Sequence, residues 1–403
     1  MSGQIQAEGV CPVVFPAERD SRYAPPAPYR SGPADGGPFE VDLAYGGKAW
    51  LITRHADVRA LLSDNRISSN ASVEGYPMVP LSHREQRPGV FLSMDSPEHE
   101  HFRGLLTREF SAGSVAARRP LIARHVDRLI DRMTAQGRSA ELVTAFADRL
   151  PCHVIGELFG AGSEDENFVQ QCLRARATHD KSLARRLSAG EQMRRFLGDL
   201  VAAKRENPAD DLITRLAAAI TAGKVTEEEA VGMATLVLAA SLDATSALTT
   251  LTVLSILQDE ARAELVRANP TRWARPAVEE ALRFWTVIQH GPLRTATADI
   301  EIGGRLIRKG DRVVLQLHSA NWDSAVFERP EMFDLDRDTQ SHLAFGHGVH
   351  RCLGGGLGQL EATVAVEGLF TRLPGLTLDA AADELVYRDE DLVYNVRALP
   401  LSW

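Results

Sequence analysis

Apolar and polar positions alternate with different periods in different parts of the chain. From residue 97 to about residue 207 apolar side chains recur at helical spacing almost throughout, with breaks expected near Ser111, Gly137, Pro151 and Gly160. Further on, Thr226-Glu227-Glu228-Glu229 reads as a capping box, and apolar residues continue from it to Leu257. This predicts one helix of about 32 residues, roughly 48 Å long at ~1.5 Å per residue. A membrane span would need a similar apolar run. Asp243 and the serines and threonines around it favour instead a helix that is apolar on most faces because it crosses the middle of a large domain. A further helix is predicted over residues 277–285, opened by Pro276 at a first-turn position.

The flanks read differently. Val41, Leu43 and Tyr45 alternate up to Gly46-Gly47, and the apolar run resumes at Trp50, which predicts a hairpin over residues 39–53. A short helix is expected at 54–63. Residues 66–92 are irregular, and a loop this long in a compact domain is usually functional. Short strands with a Gly303-Gly304 turn are expected over 300–317, an irregular meander over 321–342, and a small β-rich tail ending at Trp403. Residues 1–38, rich in Pro and Gly, read as an extended lead-in hugging the surface, ahead of a domain at 39–403. The fold class is therefore mostly α with small β-sheets at both ends (α+β), with no internal repeat.

Composition narrows the function. The chain has 403 residues, 44% hydrophobic and 25% charged, which describes a globular protein with a sizeable core. The net charge of −9 argues against nucleic-acid binding. Four scattered cysteines indicate a reducing compartment rather than a disulfide framework. Residues 1–14 lack a basic stretch followed by an apolar run, so no leader or membrane anchor is expected, and the expected location is cytoplasmic.

The chemistry concentrates in Phe345-Gly346-His347-Gly348-Val349-His350-Arg351-Cys352-Leu353-Gly354. One thiol, two histidines and three glycines precede a predicted helix. Glycines let a backbone pass close to something large and flat. A thiol at a helix N-terminus is favoured as thiolate by the free N–H groups. Zinc is a weaker reading, because no second Cys-x-x-Cys or His-x(3–5)-His element accompanies His347, His350 and Cys352. A dinucleotide loop is weaker too: Gly354-Gly355-Gly356-Leu357-Gly358 lacks the required spacing and has no strand before it. A soft-metal ligand beneath a planar cofactor fits best, and haem meets that description. Cys11, Cys152 and Cys172 have no such surroundings and read as ordinary reduced thiols.

This segment resembles the haem-binding loop of the cytochrome P-450 superfamily, Phe-Gly-x-Gly-x-His-x-Cys-x-Gly, at every fixed position, and the resemblance extends over nearly the whole chain. It implies a single triangular-prism domain, haem b with Cys352 as axial thiolate, and loop contacts from Phe345, Gly346 and Gly354. Glu280 and Arg283 match the family's Glu-x-x-Arg motif and are implied to lock the meander that contains Phe333 and Arg337. His99 and Arg103, at i, i+4 on one predicted helix, match propionate-holding positions, as do Arg294 and His350. On the long helix, Ala240-Ser241-Leu242-Asp243-Ala244-Thr245 lies where family members show Ala/Gly-Gly-x-Asp/Glu-Thr. Asp243 matches the proton-relaying acid. Ala244 stands where the family's threonine helps deliver a proton, and Thr245 is rotated about 100° from it. Three substitutes are open: a hydroxyl or ordered water of the substrate complex; Ser241 or Thr245 through a helix distortion; or a coupling reaction that does not need the hydroxyl.

The resemblance further implies substrate contacts from Val73, Tyr76, Met78 and Val79, from residues 165–190, from Leu238, Ala239 and Ala240, and from Val287, Ile288 and Gln289. It implies O2 as co-substrate, electrons from a ferredoxin and its reductase, and a monomer without nucleic-acid or membrane partners. Arg103, Arg108, Arg118, Arg119 and Arg351 would face the ferredoxin. The overall pattern resembles actinomycete tailoring enzymes that oxidise macrolides, terpenoids, aromatic compounds or cyclic peptides. Monooxygenation is the leading reading. Oxidative carbon–carbon or aryl coupling, or dimerisation of an aromatic or cyclic-dipeptide substrate, is the second, and a non-catalytic haem sensor the third.

Overall fold

The computed structural model describes residues 13–30, 32–33, 36–44, 46–77, 88–161, 166–176 and 183–403. Met78, Val79, Cys11 and Tyr45, and parts of 165–190, lie outside them. The long helix runs Glu227–Leu257, 31 residues, and its capping box is formed: the Glu229 N–H donates to Thr226 Oγ1 and the Thr226 N–H to a Glu229 carboxylate oxygen. It is long and apolar enough to cross a membrane, yet most of it is buried inside the protein. Its first half, to Leu242, packs in one apolar cluster with Phe159, Phe168 and Leu216. Its second half, from Ala247, packs in another with Val126, Trp285 and Leu369. The changeover falls at residues 243–246, so Asp243, Thr245 and Ser246 lie at the seam between two cores.

Around this helix pack Arg149–Phe159, Leu183–Glu206, Pro270–Trp285 and Gly355–Arg372. Two breaks differ from expectation. Pro151 is the third residue of helix Arg149–Phe159, where a backbone N–H would have no partner anyway, and the true interruption is the strand Ser139–Glu141 and the π-turn Val143–Ala147 before it. Pro276 does not open its helix but lies inside Pro270–Trp285, which starts at Pro270 behind an Asn269 side-chain cap. The interior proline removes one backbone bond and does not end a helix whose far face is buried.

The two expected terminal sheets are partly one. Val14–Phe15, Phe39–Leu43, Lys48–Ile52, Arg312–Leu315, Leu293–Ala296 and Ile67–Ser68 hydrogen-bond in that order as a six-stranded mixed sheet. The predicted hairpin pairs in parallel with the strand at 312–315, Trp50 opposite Val313. The lead-in is tied into the body by buried Phe15 and Tyr29 and by Arg19, whose guanidinium lies 3.9 Å over the Tyr394 ring.

Glu280 and Arg283 are fully buried. Arg283 Nη2 and Nε donate to the two Glu280 oxygens at 2.7 and 2.9 Å, and Arg337 Nε donates to Glu280 at 3.0 Å. Arg283 also donates to the carbonyls of Asn321 and Met332, each at 3.1 Å. The fork geometry satisfies both carboxylate oxygens and stitches the meander to the helix. Removing one partner leaves a buried charge. Arg283→Ala or Glu280→Ala should therefore cost about 3–5 kcal/mol, and Arg283→Lys should not restore it, as read by denaturant unfolding.

A second buried group sets acid sensitivity. His125 and His153 stack with ring centroids 5.1 Å apart, and His125 Nε2 lies 3.5 Å from Glu157. Burial, then the neighbouring His153, pushes His125 down to about 4. Its folded value lies below the unfolded one, so the native state takes up fewer protons than the unfolded chain between the two. Stability is present above the unfolded value and is lost as pH falls from about 6.5 towards 4. The thermal midpoint of His125→Gln should fall less steeply over that window than that of the parent protein; equal slopes would assign the loss elsewhere.

Candidate functional site

The thiol loop is shaped by its backbone. Gly346 and Gly348 adopt φ of 67° and 70°, which side chains disfavour, and a Cβ on Gly348 would lie 2.4 Å from the Leu62 carbonyl oxygen. The Cys352 N–H donates to the Phe345 carbonyl at 2.8 Å, folding the loop back on itself. Gly355 opens the following helix under the Phe345 ring, where a Cβ would be 3.1 Å from Cγ. Gly354 caps that helix. Cys352 is accessible, but into a recess rather than bulk water: burial pushes its thiol up, while the Gly354 and Gly355 N–H groups and Arg103 and Arg351 pull it down. Burial wins, so the helix N-terminus alone does not make a thiolate here. A coordinated metal would, since it displaces the proton.

Above the thiol the four expected propionate partners converge from three elements. His99 and Arg103 lie on helix Glu98–Leu106, Arg294 on strand Leu293–Ala296, and His350 in the thiol loop. The His99 and His350 ring centroids are 4.1 Å apart. Buried His99 has both ring nitrogens without a hydrogen-bond partner. Arg294, also buried, donates Nη1 to the carbonyl of Leu293. Burial, then Arg294, His99 and Arg103, pushes His350 down to about 3. Among the described residues none of these four is ion-paired with a carboxylate. Two guanidiniums and two neutral imidazoles, with Arg294 and His99 buried, call for an anionic acceptor, and two propionates beside a thiol-ligated iron meet that need. The residues fit haem.

The central helix presents a stripe of accessible positions, Leu236, Ala239, Ala240, Asp243 and Ala244, at i, i+3, i+4, i+7 and i+8, small or polar from Ala239 onward. The nearby hydroxyls point elsewhere. Ser241 Oγ donates to the Leu238 carbonyl of its own helix at 2.8 Å, and Ser246 Oγ to Asp148 at 2.6 Å. Buried Thr245 faces the thiol helix, its Oγ1 3.3 Å from where a Gly358 Cβ would stand. The helix is continuous through this region. The expectation that Ser241 or Thr245 reaches the stripe through a distortion therefore does not hold. Asp148 had no signal in the sequence, because its partner is 98 residues away.

The expected substrate contacts divide. Ala239 and Ala240 open onto the stripe, and Ile288 is half-buried beside Val393. Leu238 and Val287 are core residues. Gln289 is corrected: its amide accepts from Arg19 Nε and donates to the carbonyls of Arg388, Asp389 and Asp391, so it anchors the tail. Val73 lies in the turn before Tyr76, its carbonyl accepting from the Tyr76 N–H at 3.1 Å, and the Tyr76 phenol is within electrostatic reach of Arg294. The expected basic face also shrinks. Arg118 pairs with Glu109, Arg119 with Glu367, and Arg103 Nη2 donates to the Arg351 carbonyl, which leaves Arg108 and Arg351 as the exposed members with no carboxylate partner among the described residues.

A mostly helical protein with a cysteine loop, a cation cluster above the thiol and a long helix crossing between two cores defines the haem-thiolate class. A family model described as Cytochrome P450 matches residues 165–373. The chain is 39% identical to Cytochrome P450-SU2 of Streptomyces griseolus over 89% of this chain and 88% of that protein. It is 37% identical to pentalenic acid synthase of Streptomyces avermitilis over 97% of this chain and 98% of that one. The crystal structure of GfsF, a cytochrome P450 of Streptomyces halstedii, superposes with a TM-score of 0.92 at 34% identity, covering 98% and 100% of the two chains. The chain belongs to the cytochrome P450 family and is an oxidoreductase of that family.

The cation cluster makes a two-sided prediction. Arg294→Leu should raise the unfolding midpoint of the haem-free protein, because it removes a buried charge. It should weaken haem retention about 100-fold, on the order of the ~3 kcal/mol for breaking a buried charge pair. Calorimetry of the haem-free form and haem transfer to a competing apoprotein check the two halves.

Proposed function

We propose that this chain holds haem b through Cys352 and inserts one oxygen atom of O2 into an apolar secondary metabolite, with the hydroxyl missing at Ala244 supplied by the substrate or by an ordered water of its complex. The observation that carries this reading is the stripe on the central helix. It joins small residues that leave room for an apolar molecule to one carboxylate, Asp243, and none of Ser241, Thr245 and Ser246 turns a hydroxyl onto it.

Bound haem would supply oxygen activation at an iron made electron-rich by the thiolate. The protein's part is to place the substrate over Ala239, Ala240 and Ala244 and to hold a proton at the Asp243 carboxylate. His99, Arg103, Arg294 and His350 would fix the cofactor through its propionates. Arg108 and Arg351 offer an acidic ferredoxin a docking point by charge steering, and the chain would act as a cytoplasmic monomer whose 39–403 domain carries all these groups. Relatives named for making pentalenic acid and for nocardicin C N-oxygenation support oxidation of a natural product. The oxidative-coupling reading rests on the same bare stripe and differs in the fate of oxygen.

Isotopically labelled O2 separates the two: one labelled atom in the product is expected, and a product without label would establish coupling. A substrate analogue lacking the hydroxyl nearest the oxidised carbon should lose at least about tenfold in product formed per NADPH consumed. Ala244→Thr should recover part of that loss for the analogue. Cys352→Ala should abolish the thiolate-type absorption of the reduced carbon monoxide complex.

A further inference from the structure

Tyr76 reads from the sequence as a substrate contact, and the structure places the residue before it against the strand that carries Arg294. Gly75 has φ +87°, and a Cβ on it would lie 2.3 Å from the Gly310 carbonyl oxygen and 3.6 Å from Thr295 Cγ2. Only glycine allows the chain this close. Arg312 Nε donates to the Gly75 carbonyl at 3.2 Å, and the strand it belongs to pairs Arg312 with Thr295 and Val313 with Arg294. The backbone just before Tyr76 is therefore pinned on the strand that carries Arg294. Burial pushes the Tyr76 phenol up, and the Arg294 guanidinium within electrostatic reach pulls it down. Asp95 is in reach of both, but its two oxygens already accept from Ser68 Oγ and the Ser69 N–H.

Arg294 and Arg103 bring two positive charges to the cluster. Burial, then these charges, hold the His350 imidazole neutral, while both ring nitrogens of His99 lack a partner, so a further cation here would be repelled. A neutral O–H donor adds a bond to the same acceptor without adding charge. We propose that Tyr76 is a fifth ligand for a carboxylate held at Arg294, and that this carboxylate is a haem propionate rather than an acid group of the substrate. The proposal rests on the haem reading above. It also ties the segment at 70–77 to the cofactor.

The test uses the haem-loaded protein and Tyr76→Phe, which keeps the ring and removes only the hydroxyl. Haem transfer to excess apomyoglobin is expected to speed up about tenfold, the equivalent of ~1.4 kcal/mol for one hydrogen bond to a charged group. The propionate bending band in the resonance Raman spectrum should shift, which a purely structural role would not cause. Where Tyr76→Phe does not fold, Tyr76→Leu serves with the same expectations. An unchanged transfer rate and an unshifted band would overturn the proposal. So would an unchanged rate with weakened substrate binding, which would return Tyr76 to the substrate. Failure of the cofactor reading is seen separately: the parent protein would then lack the thiolate-type absorption of its reduced carbon monoxide complex.

Discussion

The fully buried carboxylate of Glu280 is the interaction on which the rest of the site depends. It accepts from Arg283 and Arg337 together, and the Asp334 N–H donates to it at 3.1 Å. Arg283 passes the constraint to the Asn321 carbonyl, and the Asn321 side chain accepts from the Leu343 N–H at 2.7 Å. The Leu343 carbonyl then accepts from Gly346 N–H at 2.8 Å, and the Phe345 carbonyl from Cys352 N–H. A continuous series of bonds, buried at its Glu280 end, thus runs from one helix to the thiol loop. Such an ion pair need not add net stability over an apolar equivalent, but it admits only one geometry, and position is what the thiol requires.

The opposite wall is positioned differently. The central helix belongs to one core before Leu242 and to another after Ala247, so its rotation is fixed at both ends by packing. Between them the Ser246–Asp148 bond holds the seam. Asp243 and Ala244 then lie on the accessible stripe, and Thr245 faces the thiol helix. The cation cluster completes the frame from a helix, a strand and the thiol loop.

Much of this could be read along the chain where a signal is local. The capping box at Thr226, the Gly303-Gly304 turn, the hairpin and the thiol loop all depend on residues within a few positions of one another. The misread boundaries at Pro151 and Pro276 have one cause: proline signals a break only where its missing N–H would have had a partner or its helix face is dispensable. Gln289 was misplaced for another reason: it follows the Glu280–Arg283 helix in sequence, but it is captured by Arg19 and the tail.

By itself the sequence determined the family, the thiol, the ordered set of cations, the Glu280–Arg283 pair and the bare alanine at 244, because each is a matter of which residue stands at which spacing. Only the tertiary structure decided which way side chains face and what they hold. It turned Thr245 towards Gly358, neutralised Arg118 and Arg119, and merged the two end sheets into one. It also pinned Gly75, the residue before Tyr76, against the strand that carries Arg294. The physical reason is common to all of these: a side chain's partner is chosen by proximity in space and by the need to satisfy buried polar groups, and neither is encoded in distance along the chain.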